Sequence, residues 1–109
     1  MKLTGKQFSA DSSQVSDYNV TDARISDDGK EIFIVYFDQR KDAYIKLKSK
    51  DGINFYGEYG SADKKGDCEF ILYKNGEEFL LLGGYSGVED GQGSWWIKLK
   101  PASLKSEVV

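Results

Sequence analysis

The sequence predicts an all-β domain, a small antiparallel meander of about eight strands that closes into an up-and-down barrel. Three features favour this fold. Short runs are rich in β-branched and aromatic residues, most of them alternate apolar and polar residues with a period of two, and glycine turn signals separate them. Twelve glycines and a single proline among 109 residues fit many tight turns. Closure removes the exposed edges of so long a meander, and a two-layer β-sandwich is the alternative architecture.

Three turn signals recur along the chain at nearly equal intervals. Asp-Gly or Asn-Gly pairs end at glycines 29, 52 and 76, which are 23 and 24 residues apart. Such pairs tolerate positive φ and are the strongest short-range signals for a β-hairpin. The strands predicted around these and the other polar links span residues 3–9, 20–26, 30–37, 43–49, 53–59, 67–74, 77–85 and 94–100.

The chain is long enough for one domain with its own core, which we place at residues 1–100. Residues 101–109 follow the last predicted strand and are predicted to form a flexible C-terminal tail. Residues 10–19 are rich in Ser and Asp, so we predict that they form a connection, the longest one in the first part of the chain. A short helical turn is an alternative for residues 10–19, and another is an alternative for residues 102–108.

Period-two alternation assigns one face of each regular strand to the core. The predicted inward residues are Ala43, Ile45, Leu47, Ile53, Phe55, Gly57, Tyr59, Cys68, Phe70, Leu72, Trp95, Ile97 and Leu99. Two runs, 31–37 and 79–82, are apolar on both faces. Strands of this kind are usually covered on both sides, so the sequence predicts a helix, a second sheet or another subunit over their outer face.

The outward residues of the last four strands form a continuous apolar band if these strands pair in chain order. The band comprises Tyr56, Ile71, Tyr73, Leu80, Leu82 and Trp96, which are the interface candidates. Soluble monomers rarely expose a band of this size. We expect it to be covered by a terminal segment of the chain, by a second copy or by a protein partner, unless the pairing order is different.

Four inward aromatic residues are candidates for a ligand pocket at one mouth of the barrel: Phe55, Tyr59, Tyr85 and Trp95. Large rings often anchor binding. The interior of an eight-stranded barrel is wide enough either to be filled by side chains or to hold one small ligand. Both outcomes are open from the sequence.

Three late segments resemble the calycin group of barrels, which includes lipocalin-like and avidin-like proteins. They are Tyr56-Gly57-Glu58-Tyr59, Gly83-Gly84-Tyr85 and Gly93-Ser94-Trp95-Trp96. The resemblance is one of architecture and implies a closed meander barrel. The first strand lacks the Gly-x-Trp signature of a lipocalin, so no family is assigned.

The composition argues against catalysis. Histidine is absent, which removes histidine triads and histidine metal sites, and a single cysteine excludes a thiolate metal cluster within the chain. Cys68 falls on an inward face and is predicted to be a small buried hydrophobe. The acid pairs Asp38/Asp42 and 89/90 lie in predicted turns, where acids are well solvated. We therefore predict no enzyme activity, no metal and no cofactor.

The remaining class of function is recognition. The sequence predicts a non-enzymatic barrel that binds a small apolar or amphipathic ligand. The alternative is a protein–protein interaction module that uses the outer aromatic face, as an inhibitor, an immunity-type partner or an oligomer subunit. A net charge of −3 without a basic stripe argues against nucleic acid.

No apolar run reaches membrane-spanning length, and the first residues have no signal-peptide core, so no membrane insertion is expected. A single cysteine suits a reducing compartment, which predicts a cytoplasmic protein, with a mature secreted chain as the alternative.

Overall fold

The computed structural model describes residues 1–11, 15–38, 41–61, 64–87 and 91–102, with the side chains of residues 38 and 41 left aside. Within these ranges the chain forms eight strands: β1 (Lys2–Ala10), β2 (Val15–Ile25), β3 (Glu31–Asp38), β4 (Lys41–Ser49), β5 (Asn54–Gly60), β6 (Lys65–Asn75), β7 (Glu78–Gly87) and β8 (Gly91–Pro101). Each strand pairs antiparallel with the next, and β8 pairs with β1, which closes the barrel. The predicted all-β meander barrel is confirmed, and the sandwich alternative is not formed.

The largest difference from the predicted strands is at β2, which begins at Val15 rather than at residue 20. Residues 15–19, predicted as part of a connection that could hold a helical turn, pair in register with residues 6–10 of β1. Ser and Asp have weak strand preferences, but the ladder to β1 satisfies their backbone groups, and this pairing outweighs the local preference.

The described residues contain no helix, and therefore none that is long and apolar enough to cross a membrane. The predicted helical turn and tail at the C-terminus fall almost entirely on residues 103–109, which lie outside the described ranges.

The three predicted turn glycines are confirmed: Gly29, Gly52 and Gly76 have φ angles of 73°, 77° and 64°. They lie at one end of the barrel, in the β2–β3, β4–β5 and β6–β7 hairpins. Nothing lies within 4 Å of the position of a Cβ at Gly29 or Gly76. Crowding therefore does not explain these glycines. The positive φ does, since few residues other than glycine tolerate it.

Two of these turns share a Ser-x-Asp-Gly sequence and a common set of hydrogen bonds. Ser26 Oγ donates to Asp28 Oδ1 at 2.6 Å, and Ser49 Oγ donates to Asp51 Oδ1 at 3.0 Å. Asp51 Oδ1 also accepts the backbone N–H groups of Ile53 and Asn54, both at 2.8 Å. The aspartates thus complete the turns by replacing backbone acceptors.

The barrel interior is the hydrophobic core. Its buried apolar residues are Leu3, Val20, Ala23, Ile32, Ile34, Tyr36, Ala43, Ile45, Leu47, Phe55, Tyr59, Cys68, Phe70, Leu72, Leu81, Trp95, Ile97 and Leu99. Nearly all predicted inward residues are among them. The exceptions are Gly57, which is partly buried, and Ile53, which is 53% exposed because β5 begins one residue later and Ile53 belongs to the turn.

The outer faces of the two doubly apolar strands are exposed, and no helix or second sheet covers them in the described part of the chain. Cover by another subunit stays a prediction. Phe33 and Phe37 of β3 are 37% and 50% exposed, and Leu82 of β7 is 42% exposed. The reason is architectural. The wall is a single sheet, so only one side of each strand faces the interior.

At some glycines of the wall, Gly57 and Gly83 among them, the backbone of the neighbouring strand approaches closely. A Cβ at Gly57 would overlap the carbonyl oxygen of Lys46, and a Cβ at Gly83 would overlap that of Glu69. At both glycines the neighbouring backbone occupies the place of a side chain.

We predict that Gly57→Ala and Gly83→Ala each lower the free energy of unfolding by about 2 kcal/mol or more, because the backbone must shift to admit the methyl group. Urea unfolding measured by circular dichroism checks this. Gly76→Asn is the control, since Asn tolerates positive φ and nothing crowds that position. If Gly57→Ala lowers the free energy of unfolding no more than Gly76→Asn does, the close approach of the neighbouring backbone is contradicted.

The Asp51 turn predicts a pH-dependent contribution to stability. Hydrogen bonds from the backbone and side chain of Asn54, then from Ile53 and Ser49, hold the pKa of Asp51 far below its ordinary value of 3.8. A lowered folded-state pKa contributes stability above the unfolded-state value, and this contribution is lost as the pH falls towards the folded-state pKa. The Asp51→Ala variant should therefore be less stable than the natural protein at neutral pH. This difference in stability between the two proteins, the gap, should narrow below about pH 4.

Thermal unfolding between pH 2 and pH 7 measures this gap. Asp27→Ala, at an exposed position of the neighbouring turn, serves as the control. A gap for Asp51→Ala that is constant over this pH range would show that the ionised carboxylate does not stabilise the turn.

Candidate functional site

Six aromatic rings meet inside the barrel, with Trp95 at their centre. The Trp95 ring lies 4.9 Å from Tyr59 and 4.9 Å from Tyr85, measured between centroids. It stacks on Phe70 at 5.9 Å and meets the edge of Tyr36 at 6.3 Å. Tyr36 in turn lies 5.8 Å from Tyr18. We call Tyr18, Tyr36, Tyr59, Phe70, Tyr85 and Trp95 the ring cluster.

Inward glycines make room for two of these tyrosines. A Cβ at Gly93 would overlap the ring of Tyr85, and a Cβ at Gly87 would overlap the hydroxyl group of Tyr59. Gly66 is covered by the Tyr59 ring in the same way. The rings therefore lie against bare backbone near the ends of β6, β7 and β8, and the cluster follows directly from the placement of these glycines.

The structure brings together three of the four predicted pocket residues. Tyr59, Tyr85 and Trp95 are in mutual contact. Phe55 is fully buried beside Phe70 in the register, and no ring contact joins it to the cluster among the described residues. Whether these four residues bind a ligand stays a prediction.

Sequence reasoning missed Tyr18, Tyr36 and Gln7. Tyr18 lies in the segment that was predicted as a connection. Tyr36 lies in a strand that is apolar on both faces, so alternation did not show which of its side chains point inward. Gln7 could have been found, because Leu3, Gly5 and Gln7 alternate along β1 and point the amide inward.

Gln7 is the one polar or charged residue that is buried in the described part of the chain, and its exposure is 0%. Neither its Nε2 nor its Oε1 has a hydrogen-bond partner there. Its neighbours in the register, Tyr18 on β2 and Ile97 on β8, also lie on the inner side. Leaving a buried amide unpaired costs about 1–3 kcal/mol, so this residue lowers the stability of the isolated barrel.

The second candidate site is an apolar surface on the outside of the barrel. In the register, Ile71 of β6 faces Leu82 of β7, Leu82 faces Trp96 of β8, and Trp96 faces Phe8 of β1. The Trp96 and Phe8 rings are stacked at 5.6 Å with 9° between their planes. Tyr73 faces Leu80 in the adjacent row. The chain-order pairing on which the predicted band depends is therefore confirmed.

We call Phe8, Ile71, Tyr73, Leu80, Leu82 and Trp96 the outer apolar face. It includes five of the six predicted interface residues. The sixth, Tyr56, is exposed at the edge of this face, where it pairs with Glu69. Phe8 was missed because the first strand was left out of the predicted band, although closure brings β1 next to β8.

Grooves lie on the outer surface both at this face and away from it. One, with a volume of about 500 Å³, is lined by residues that include Tyr73, Phe79, Leu80, Lys98 and Lys100. A larger groove of about 910 Å³ crosses β2 to β6, and its lining includes Phe33, Tyr56, Lys46 and Glu58. These grooves mix apolar and charged residues, as interaction surfaces commonly do.

The structure describes the surroundings of Cys68 and of most acidic side chains that the sequence offers for chemistry. Cys68 is buried, and burial, together with the nearby charges of Asp67 and Glu58, raises its pKa to about 12. No group of three acidic or cysteine side chains comes close enough to hold a metal ion there. The side chains of the predicted acid pair at 89/90, and that of Asp38, fall outside the description.

Comparison with known protein families finds no matching family model, and comparison with curated protein sequences finds no match. The closed eight-strand meander is the architecture that the calycin resemblance implies, but membership in that group does not follow from it.

We predict that Cys68 is inert in the folded protein, because its raised pKa leaves almost no thiolate at neutral pH. An aromatic disulfide reagent should modify it many times more slowly in the folded protein than in urea, which absorbance at 412 nm measures. Rapid modification in the absence of denaturant would contradict the burial of the thiol.

Proposed function

We propose that this protein is a non-enzymatic interaction module whose outer apolar face binds a second copy of the same chain. The observation that carries the proposal is the uninterrupted row of Ile71, Leu82, Trp96 and Phe8 across four neighbouring strands. With strands about 4.8 Å apart, this row is about 14 Å wide. Contiguous apolar surfaces of this kind usually mark a contact with another molecule.

The charges around the outer apolar face favour a second copy over an unrelated partner. Glu69 lies next to Ile71 on β6, and Lys98 lies next to Trp96 on β8, on the opposite side of the apolar row. Both side chains are exposed, and neither takes part in an ion pair among the described residues.

Consider a two-fold axis that lies in the plane of the interface and is perpendicular to the line from Glu69 to Lys98. This axis places Glu69 of one copy opposite Lys98 of the other. An isologous dimer needs such a self-complementary surface, because the same patch contributes both sides of the contact. Two symmetry-related ion pairs at the rim would fix the orientation of the two barrels, while the buried apolar residues would supply most of the affinity.

We predict that Leu82→Glu shifts the protein from dimer to monomer, because it places a charge at the centre of the buried contact. Sedimentation velocity over a range of concentrations measures the shift. Phe37→Glu is the matched control, since it puts the same charge on an exposed apolar position of β3, outside the outer apolar face. A natural protein that stays monomeric up to millimolar concentration would contradict the proposal.

Charge reversal tests the orientation of the dimer separately. Glu69→Lys and Lys98→Glu should each raise the dissociation constant about tenfold, and the double variant should restore dimerisation, because two symmetric pairs change together. Lys50→Glu, in the β4–β5 turn, should leave dimerisation unchanged. A double variant that is weaker than either single variant would contradict the two-fold arrangement.

The predicted binding of a small ligand inside the barrel is a second candidate function. The buried amide of Gln7 favours it, because this amide lies beside the ring cluster and has no hydrogen-bond partner in the described part of the chain.

A further inference from the structure

We infer that Gln7 and the ring cluster form an internal binding site for a neutral, planar ligand that carries an amide-like edge. By this we mean a hydrogen-bond donor next to an acceptor, as in a carboxamide, a lactam or a pyrimidinone. The site does not depend on the proposed dimer, because it lies on the opposite side of the barrel wall.

The unpaired amide defines the polar part of this ligand. The side chain of glutamine presents a carbonyl acceptor and an NH₂ donor side by side. In the part of the chain that the structure describes, Gln7 is fully buried and both of these groups lack partners. A second amide-like edge satisfies both at once through a pair of hydrogen bonds, whereas a lone hydroxyl or carbonyl satisfies one of them well.

The surroundings of Gln7 define the shape of the ligand. Tyr18 is next to Gln7 in the register and is only half-buried, and its ring lies 5.8 Å from that of Tyr36. One step further along β1, Ser9 pairs with both Ser16 and Trp95. Aromatic residues beside this part of β1 favour a flat ligand that stacks on a ring, and the serines add small polar side chains on the same inner side.

The absence of buried charge from the described interior sets the charge of the ligand. No Asp, Glu, Lys or Arg is among its buried residues. Asp22 also has a buried, unpaired oxygen, but it pairs with Val35 in the register and lies 3.6 Å from Arg24, on the outer side of the wall. Burying an ionised ligand beside Gln7 without a counter-charge would be strongly unfavourable, so we expect a neutral one.

The test compares two probes of the same shape, 2-naphthamide and 2-naphthoate, by isothermal titration calorimetry at neutral pH. The neutral amide should bind, and the carboxylate should bind at least about tenfold more weakly. Binding should shift the NMR signals of the Gln7 side-chain NH₂ group and of the Trp95 indole N–H. Equal affinity for the two probes, or no binding of the amide, would overturn the inference.

The variant Gln7→Leu supplies a second readout that a purely structural glutamine would not produce. It should weaken 2-naphthamide binding about tenfold and raise the melting temperature by about 4 °C, because an unpaired amide is removed. Gln92→Leu is the matched control at an exposed position of β8 and should change neither. If Gln7→Leu lowers the melting temperature, or leaves binding unchanged, the amide serves folding alone and the site is refuted.

The same titrations in the Leu82→Glu background separate this inference from the proposed function. Binding that persists in a monomeric barrel supports an internal site. Binding that disappears together with the dimer would place the probe at the interface and overturn the internal site.

Discussion

Pairing of β8 with β1 is the constraint on which the rest of the structure depends. The two strands are paired from Leu3 opposite Pro101 to Ala10 opposite Ser94, so both edges of the meander are used. A sheet that closes on itself has one inner side, and only half of each strand faces it. The neighbouring backbone occupies the space of a Cβ at Gly57 and at Gly83, so the closed wall has no room for a side chain at either position.

The elements that the sequence predicts well are those set by local chemistry. Asp-Gly and Asn-Gly turns, and the alternation in strands such as 43–49, report backbone conformation and direction within a few residues. The start of β2 depends instead on pairing with β1, and Ile53 depends on where the turn ends. The outer row could be predicted from the assumed pairing order of the last four strands. Phe8 could not be placed in it without knowing that β1 pairs with β8. Gln7 was not predicted as a site residue, because a single inward glutamine forms no motif.

The two proposed sites lie on opposite sides of the barrel wall. The inside holds rings packed on glycines and the Gln7 amide, which has no hydrogen-bond partner among the described residues, and this favours one small neutral ligand. The outside holds apolar side chains next to separated charges of opposite sign, which favours a second copy. In both places the chain keeps groups that reduce the stability of an isolated barrel, since a leucine at position 7 or polar residues on the outer apolar face would suit a monomer better.

Amide hydrogen exchange of β1 and β8 tests closure most directly. In a closed barrel the paired amides from residue 3 to residue 10, and those opposite them in β8, should exchange as slowly as those of β3 and β4 and only through global unfolding. If the amides of β1 and β8 that face each other exchange within minutes while those of β3 and β4 stay protected, the sheet is open. The continuous row from Ile71 to Phe8 would then not exist.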